Sequence, residues 1–329
     1  MQRNTSENLP IRYFSAITTR KVEWLWYPYI PYGKVTILQG DPGDGKTTFI
    51  LNVAALLSQG ASMPESTDHT PRTNTIYQSA EDDAEDTLKP RLLSAGADCS
   101  RIAFIDESDG RLSINDPRVE SAIIETNARL LVIDPLQAYL GDSFEMNRSD
   151  SIRPIMRHIS AFAERTGCAV VIVGHMNKAS GSKGIYRGLG SIDITAAARS
   201  VLLVGRLKSD PNIRIMAQLK NSLAEEGNPI AFEIHENAKV CWLGEYDISV
   251  DELLCGDVAP GDNRKVSEAV DRLKEMLCSE AVPCGQIYAA LRDMGISKRS
   301  VDRAKKNLGV QSIKRTEGWY WSLKGDEHE

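Results

Sequence analysis

The sequence predicts an α/β fold with a mostly parallel central sheet flanked by helices, plus a small C-terminal domain. Short β-branched runs alternate with helical patterns from residue 34 to about residue 243. These runs are apolar throughout rather than alternating, which suits strands buried on both faces of a parallel sheet. Between the first run and the first helical pattern lies Gly40-Asp41-Pro42-Gly43-Asp44-Gly45-Lys46-Thr47, a glycine-rich loop in strand–loop–helix context.

The elements follow in order. Residues 1–17 form a polar arm, mobile or lying on a neighbouring subunit. WLWYPYIPYG (24–33) is an aromatic lead-in that reads as a hydrophobic plug under the sheet. Strands are predicted at VTILQ (35–39), TIYQS (75–79), IAFI (102–105), LLVID (130–134), AVVIVG (169–174), VLLV (201–204) and IRIMAQL (213–219). The clearest helix spans 149–166, with Ile152, Ile155, Met156, Ile159, Phe162 and Ala163 on one face and Gly167 just past its end. The main domain is thus expected over 18–243, and 244–263, acidic with Gly and Pro, reads as a linker. Residues 264–324 change pattern: helices at 265–278, 284–295 and 297–309, then an alternating stretch around a Glu-Gly turn, which together give a winged-helix arrangement. Residues 325–329 are a tail.

Composition narrows the class. No stretch approaches the roughly 18 continuous apolar residues of a membrane helix, and the N-terminus lacks the apolar core of a secretory signal, so a cytoplasmic protein without membrane contact is expected. Cys99, Cys168, Cys241, Cys255, Cys278 and Cys284 show no metal-ligand spacing and read as reduced, mostly buried thiols. The net charge is −6, yet Arg264–Lys324 holds 13 Lys/Arg against 7 Asp/Glu, a net +6, so the rest carries −12. A basic tail domain on an acidic core points to nucleic acid at the tail.

The loop dictates phosphate chemistry. Gly40, Gly43 and Gly45 let the loop, which also holds Asp41, Pro42 and Asp44, and the helix-opening Thr48 approach phosphates closely; backbone N–H groups other than at Pro42, which has none, do the binding. Lys46 neutralises the β- and γ-phosphates, and the Thr47 hydroxyl ligates Mg²⁺. ATP and Mg²⁺ are therefore the expected ligands. Asp134, at the tip of a buried strand, is the second metal candidate, although acids also close strands as helix caps. Hydrolysis needs a carboxylate to orient water. Pro135 follows Asp134, so no base stands beside it; Glu81, just off a strand end in IYQSAEDD, is the candidate, against the alternative that Glu81, Asp82 and Asp83 all cap the next helix. His175 ends AVVIVGH as a γ-phosphate sensor or a structural histidine. The loop beyond it, 176–191, is glycine-rich and carries Lys178, Lys183 and Arg187, which suits a grip on a nucleic-acid backbone or an ordinary surface loop. In the tail domain, Lys298, Arg299, Arg303 and Lys306 are placed to meet DNA phosphates while Val301, Ala304 and Leu308 face inward; a solvated helix on a subunit-contact module is the alternative.

The ordered set WLWYPYIPYGKVTILQGDPGDGKTT, YQSAEDDAEDTLKPRL, LLVIDPLQAYLG, VIVGHMNK, YRGLGSIDITAAARSVLLVGR and LKNSLAEEG, over about residues 18–235, resembles the RepA-like branch of RecA-type P-loop ATPases, related to the DnaB-type replicative helicases. The resemblance implies a RecA-like core, a homo-oligomeric ring, a hexamer, with ATP between subunits and single-stranded DNA through the centre. It places Lys46, Thr47, Asp134, Glu81 and His175 at nucleotide in cis, makes Arg199, Arg206 and Lys220 candidates to reach a neighbour's ATP, and lines the pore with loops near 140–150 and 177–190. Two departures stand out. DnaB-type helicases often carry an Arg two positions beyond the lysine of this motif, where Lys220-Asn221-Ser222 has Ser222, so the trans-acting arginine must come from elsewhere. With few residues before the core, no N-terminal primase-binding domain is expected, a lack that RepA-like members share.

Three functions are compatible. The first is an ATP-driven helicase or translocase on single-stranded DNA in the replication of a plasmid, phage or mobile element. The second is an ATP-gated replication initiator or regulator that binds duplex DNA through the tail domain without unwinding. The third is a signalling ATPase that needs no DNA, which the basic tail disfavours.

Overall fold

The computed structural model describes residues 12–108, 110–140, 149–176, 192–208, 210–255, 260–278, 281–296, 298–315 and 318–323. The chain divides into two compact units, Met1–Cys255 and Gly256–Glu329.

The first unit opens with a two-stranded antiparallel ribbon of β1 (Trp24–Trp26) and β2 (Ile30–Pro31). The core strand β3 (Val35–Gly40) follows and runs through the loop into α1 (Lys46–Gln59). Then come β4 (Asn74–Ser79), a π-helical turn (Ala84–Leu88), α2 (Lys89–Ser94), β5 (Ile102–Ala103), α3 (Pro117–Thr126) and β6 (Ala128–Asp134). After these lie α4 (Ser149–Thr166), β7 (Ala169–His175), α5 (Ile192–Ala197), β8 (Ser200–Leu207), β9 (Asp210–Asn221), β10 (Ile230–Ile234), β11 (Val240–Glu245) and α6 (Val250–Cys255).

One nine-stranded sheet joins them in the order β11-β10-β9-β8-β3-β7-β6-β4-β5. From β8 to β5 every neighbour is parallel, and β9, β10 and β11 continue antiparallel. This is the predicted α/β class, a mostly parallel sheet with helices on its faces. Its strands are apolar on both sides because each face carries its own core. On one, Leu38, Val132 and Val173 pack with α1 residues Phe49, Ile50 and Val53. On the other, Ile37, Ile133 and Ile172 pack with Ile152, Ile155, Met156, Ile159, Phe162 and Ala163, the stripe its spacing predicted on α4. The aromatic lead-in enters the first of these cores. Trp26 stacks on Phe49 with ring centroids 6.1 Å apart, Tyr29 lies 4.8 Å from Trp26, and the Tyr29 hydroxyl donates to the Asn228 carbonyl at 2.7 Å. Such ring pairs add about 0.5–1.5 kcal/mol each beyond their buried area.

Three local expectations are corrected. The strand at 102–105 stops at Ala103, because the Gln78 side chain takes both backbone groups of Ile105, accepting from its N–H at 2.9 Å and donating to its carbonyl at 3.2 Å. The acidic segment 244–263 is not a plain linker: it holds the end of β11, helix α6 and the start of the next helix. Ile248 and Leu253 are buried, and Leu253 packs against Gly205 of β8. Of Cys99, Cys168, Cys241, Cys278 and Cys284 only Cys168 is buried, and none of these five is disulfide-bonded; the side chain of Cys255 lies outside those described.

The second unit holds α7 (Pro260–Met276), β12 (Val282–Pro283), α8 (Cys284–Asp293), α9 (Lys298–Asn307), β13 (Gln311–Arg315) and β14 (Gly318–Ser322). Its antiparallel sheet is ordered β12-β14-β13, and its core gathers Leu273, Ile287, Leu291, Val301, Ala304 and Trp321. Among the described residues no helix is long and apolar enough to cross a membrane.

Candidate nucleotide site

The carboxyl ends of β3, β4, β6 and β7 lie side by side, and each delivers one group to a common site. The loop after β3 is shaped by its glycines. A Cβ on Gly40 would stand 2.1 Å from the Val204 carbonyl oxygen, so only glycine lets β3 and β8 approach this closely. Gly45 caps the N-terminus of α1 at φ 95°, the left-handed region, and a Cβ there would also meet Ile234 at 2.5 Å. The loop therefore aims the first turn of α1, with its free N–H groups and positive dipole end, at the space above the sheet.

Lys46 is buried, and its ammonium donates to the carbonyls of Gly40 at 3.0 Å and Asp41 at 2.9 Å. Burial lowers its pKa, with Asp44 and Asp134 opposing the shift. Asp134 ends β6, and one carboxylate oxygen accepts from the Thr47 hydroxyl at 2.9 Å and from the Tyr77 hydroxyl at 2.8 Å. Burial raises the Asp134 pKa, and those two donors pull it back. The Thr47–Asp134 pair is a hard-oxygen set that suits Mg²⁺. Among the described residues no cluster of three His, Cys, Asp or Glu could hold a metal alone, so an ion here would draw its remaining oxygens from phosphate and water.

Glu81 and His175 meet from the ends of β4 and β7, with Glu81 Oε1 3.7 Å from His175 Nε2. Nδ1 of His175 is buried and has no hydrogen-bond partner among the described residues. The three neighbouring acids are divided. Asp83 caps the following turn by accepting from the N–H groups of Glu85 and Asp86, and Asp82 pairs with Arg91 at 3.1 Å, leaving Glu81 turned to His175.

The expected neighbour-reaching cations are distributed differently. Arg206 lies on its own chain's loop, donating to the Gly43 carbonyl at 2.6 Å with Nε 3.6 Å from Asp44. The cause is topological: β8 is the direct neighbour of β3, so its C-terminal end abuts the loop that β3 feeds. Lys220 donates to the carbonyls of Thr195, Ala196 and Ala198 at 3.1, 3.2 and 2.8 Å, closing the C-terminal end of α5. Arg199 is exposed just before β8. Thr36 pairs with Ser200, so Arg199 starts its strand at the end of the sheet opposite the loop, about 13 Å away at ~3.3 Å per residue.

Lys178, Lys183 and Arg187, and most of the loops near 140–150 and 177–190, lie outside the described residues. Lys298, Arg299, Arg303 and Lys306 fall on α9, but their side chains lie outside those described. Tyr77 and Arg214 belong at the site and were not singled out from sequence. A tyrosine inside the strand TIYQS was the available signal for the first, since a buried phenol needs a polar partner. Arg214 gave none, because its place depends on the β8–β9 register. The second unit adds a hairpin on which Lys314 lies 5.9 Å from the Trp319 ring and Arg315 4.8 Å from the Tyr320 ring; Trp319 is 52% exposed.

A family model described as AAA domain matches residues 4–181. Among curated sequences the chain is similar to the DNA repair protein RadA of Bacillus subtilis, 25% identical over 226 residues, covering 68% of this chain and 44% of that one. The DNA repair protein RadA of Halalkalibacterium halodurans is 27% identical over 149 residues, 44% of this chain and 28% of its own. The chain thus spans less than half the length of these curated relatives. A crystal structure of a KaiC-like protein from Pyrococcus horikoshii superposes with a TM-score of 0.47 at 19% identity, covering 65% of this chain and 90% of that one.

Proposed function

Since the chain belongs to the AAA domain family, with that family's model matching more than half of it, we propose that it is an ATP-dependent DNA helicase or translocase of the RepA-like type. It acts on single-stranded DNA in replication of a plasmid, phage or mobile element, as a homo-oligomeric ring, a hexamer. The observation that carries this is the convergence of Lys46, Thr47, Asp134, Glu81 and His175 at the ends of four neighbouring parallel strands. The curated relatives' name, DNA repair protein, supports a DNA setting.

Each group has work within that activity. The loop from Gly40 to Gly45, with Thr48 on the first turn of α1, cradles the phosphates through backbone N–H groups. Lys46 exchanges its carbonyl partners for the β- and γ-phosphate oxygens. Thr47 and Asp134 hold Mg²⁺, which when bound neutralises charge on the phosphate oxygens. Glu81 takes a proton from the water that attacks the γ-phosphorus as the bond to the ADP oxygen breaks. His175, in contact with Glu81, transmits the loss of the γ-phosphate into the segment that follows β7, where Lys178, Lys183 and Arg187 grip single-stranded DNA. Arg199, at the sheet end opposite its own loop, serves a neighbour's nucleotide.

A second function is favoured by the second unit, whose basic excess and exposed Trp319 suit duplex DNA: an ATP-gated initiator or regulator that does not unwind. The test is steady-state ATP hydrolysis with and without single-stranded DNA, at low and moderate salt. Strong stimulation that falls with salt supports the motor. No stimulation, with duplex binding confined to residues 264–324, supports the switch instead.

A further inference from the structure

The β8–β9 hairpin brings two arginines together beside the phosphate loop. Arg206 and Arg214 are register partners across the two strands. Arg206 reaches the Gly43 carbonyl and Asp44. Arg214 packs against the next glycine: a Cβ on Gly45 would lie 3.2 Å from both Cδ and Nε of Arg214. Its Nη1 donates to the Asn212 carbonyl at 3.0 Å, and its Nε is buried with no hydrogen-bond partner among the described residues.

This pairing is unfavourable as it stands. Two guanidinium groups opposite each other repel, and a buried donor without an acceptor carries its full desolvation cost. Burial first, and then the facing charge of Arg206, disfavour the cationic form of Arg214, and Asp44 supports it. Asp44 is a shared counter-ion: it lies 3.6 Å from Arg206 Nε, and its carboxylate also accepts from the Asp41 N–H at 3.1 Å. Arg206 and Arg214 thus share Asp44 between them, an acid that also faces Lys46 together with Asp134, Asp41 and Glu81. An anion on the phosphate loop removes the imbalance.

We propose that Arg206 and Arg214 are nucleotide-binding residues that act in cis, holding the phosphate chain of a nucleoside triphosphate seated on their own subunit's loop. This rests on the phosphate-loop assignment above and adds two residues to it. It also removes Arg206 from service to a neighbour. Because β8 is hydrogen-bonded to β3, the pair is fixed to the strand that carries its own loop, and the Gly43 contact orients the Arg206 guanidinium there. Nucleotide affinity then depends on these arginines in a dilute single subunit as much as in an assembled ring.

The experiment is equilibrium binding of a non-hydrolysable ATP analogue with Mg²⁺ to the full chain, over protein concentrations from dilute to assembled. Arg206→Gln and Arg214→Gln should each weaken binding about tenfold or more, as removal of a charge-assisted hydrogen bond does, at every protein concentration. Arg206→Lys and Arg214→Lys should recover part of the loss, which separates lost charge from lost folding. In a mixing arm, Lys46→Ala subunits are combined with Arg206→Gln subunits. If Arg206 works in cis no site is complete and binding is not restored; restoration would overturn the proposal. Wild-type affinity in both glutamine variants would also overturn it while leaving the phosphate-loop assignment intact. Failure of the wild type to bind the analogue would bring down that assignment, and the proposal with it.

Discussion

The hydroxyl of Tyr77 lies 2.8 Å from the same Asp134 oxygen that Thr47 contacts at 2.9 Å. Burial pushes the Tyr77 phenol well above its usual range, so it stays a donor, and its bond holds the Asp134 pKa down against burial. Tyr77→Phe removes that support without changing the shape of the strand. Asp134 should then protonate at higher pH, moving the acid limb of kcat/KM upward, and activity at neutral pH should fall up to about tenfold, the worth of one such bond. An unchanged pH profile would remove Tyr77 from this role.

Asp134 itself should cost stability in the nucleotide-free protein. Its native pKa lies above its unfolded value, so its favourable contribution is complete below the unfolded pKa and is lost as pH rises through the native one. Above that native pKa the carboxylate is both charged and buried. Asp134→Asn keeps an acceptor for Thr47 and Tyr77 but removes the charge. The variant should melt higher at pH 7 without nucleotide, by about 2–4 °C per kcal/mol relieved in a domain of this size, and the gap should close as pH falls towards 4. Melting below the wild type at pH 7 would contradict this.

Glu81→Gln separates binding from chemistry. The substituted amide cannot take a proton, so turnover should fall by about 10²–10⁴-fold, the usual worth of a general base, while affinity for ATP stays within about twofold on an order-of-magnitude view. Quenched-flow single-turnover measurements would decide it, since a variant that still hydrolyses at the wild-type rate has its base elsewhere.

Gly40→Ala tests the closeness of two strands. The added Cβ would stand 2.1 Å from the Val204 carbonyl oxygen, a backbone atom that cannot swing aside. The cost should reach the upper part of the overpacking range, about 3 kcal/mol, and thermal denaturation should show it before any assay does. A melting point equal to the wild type would mean that β3 and β8 are not so tightly joined.

The parts of the fold that were legible were those where burial alone dictates composition. The strand–loop–helix around Lys46 and the apolar face of α4 have no other way to satisfy their residues. The β10–β11 pair was missed because its stretches, IAFEI and VCWLGE, mix polar and apolar residues at the edge of the sheet. Helix α6 was hidden by its charge, yet its signal was present. Ser249 and Glu252 form a capping box, the Ser249 N–H donating to the Glu252 carboxylate at 2.7 Å and the Glu252 N–H to the Ser249 hydroxyl at 3.2 Å. The candidate groups could be placed at strand ends, but the company they keep could not. That Arg206 meets Gly43, that Lys220 closes α5 and that Tyr77 supports Asp134 are consequences of register, which one sequence does not display.

Lys220 and Arg199 should therefore part company under mutation. Lys220→Met deletes three hydrogen bonds to carbonyls at the end of α5, and should destabilise the dilute protein by about 1–3 kcal/mol. Arg199→Ala removes an exposed side chain and should leave stability within about 0.5 kcal/mol. Its loss should instead abolish hydrolysis in the assembled protein, with activity restored on mixing with Lys46→Ala subunits. Denaturation curves and mixing titrations of both variants check this; complementation failing for Arg199 would leave the neighbour's nucleotide without this arginine.

The hairpin of β13 and β14 separates two kinds of contact with DNA. Lys314 and Trp319 are register partners, and Arg315 lies over Tyr320, so cations and rings alternate on one short, exposed ribbon. If this ribbon touches DNA, its cations meet phosphates and Trp319 meets sugar or base edges. Replacing both Lys314 and Arg315 with Ala should flatten the slope of log affinity against log salt by about 0.9 for each phosphate no longer neutralised. Trp319→Ala should weaken binding without changing that slope, because an apolar contact releases no counter-ion. Fluorescence anisotropy on duplex and single-stranded probes over a salt series reads both numbers. If neither variant departs from wild type while Lys298→Ala and Arg299→Ala lose binding, the DNA is met by α9 alone, and the hairpin serves only to build the second core.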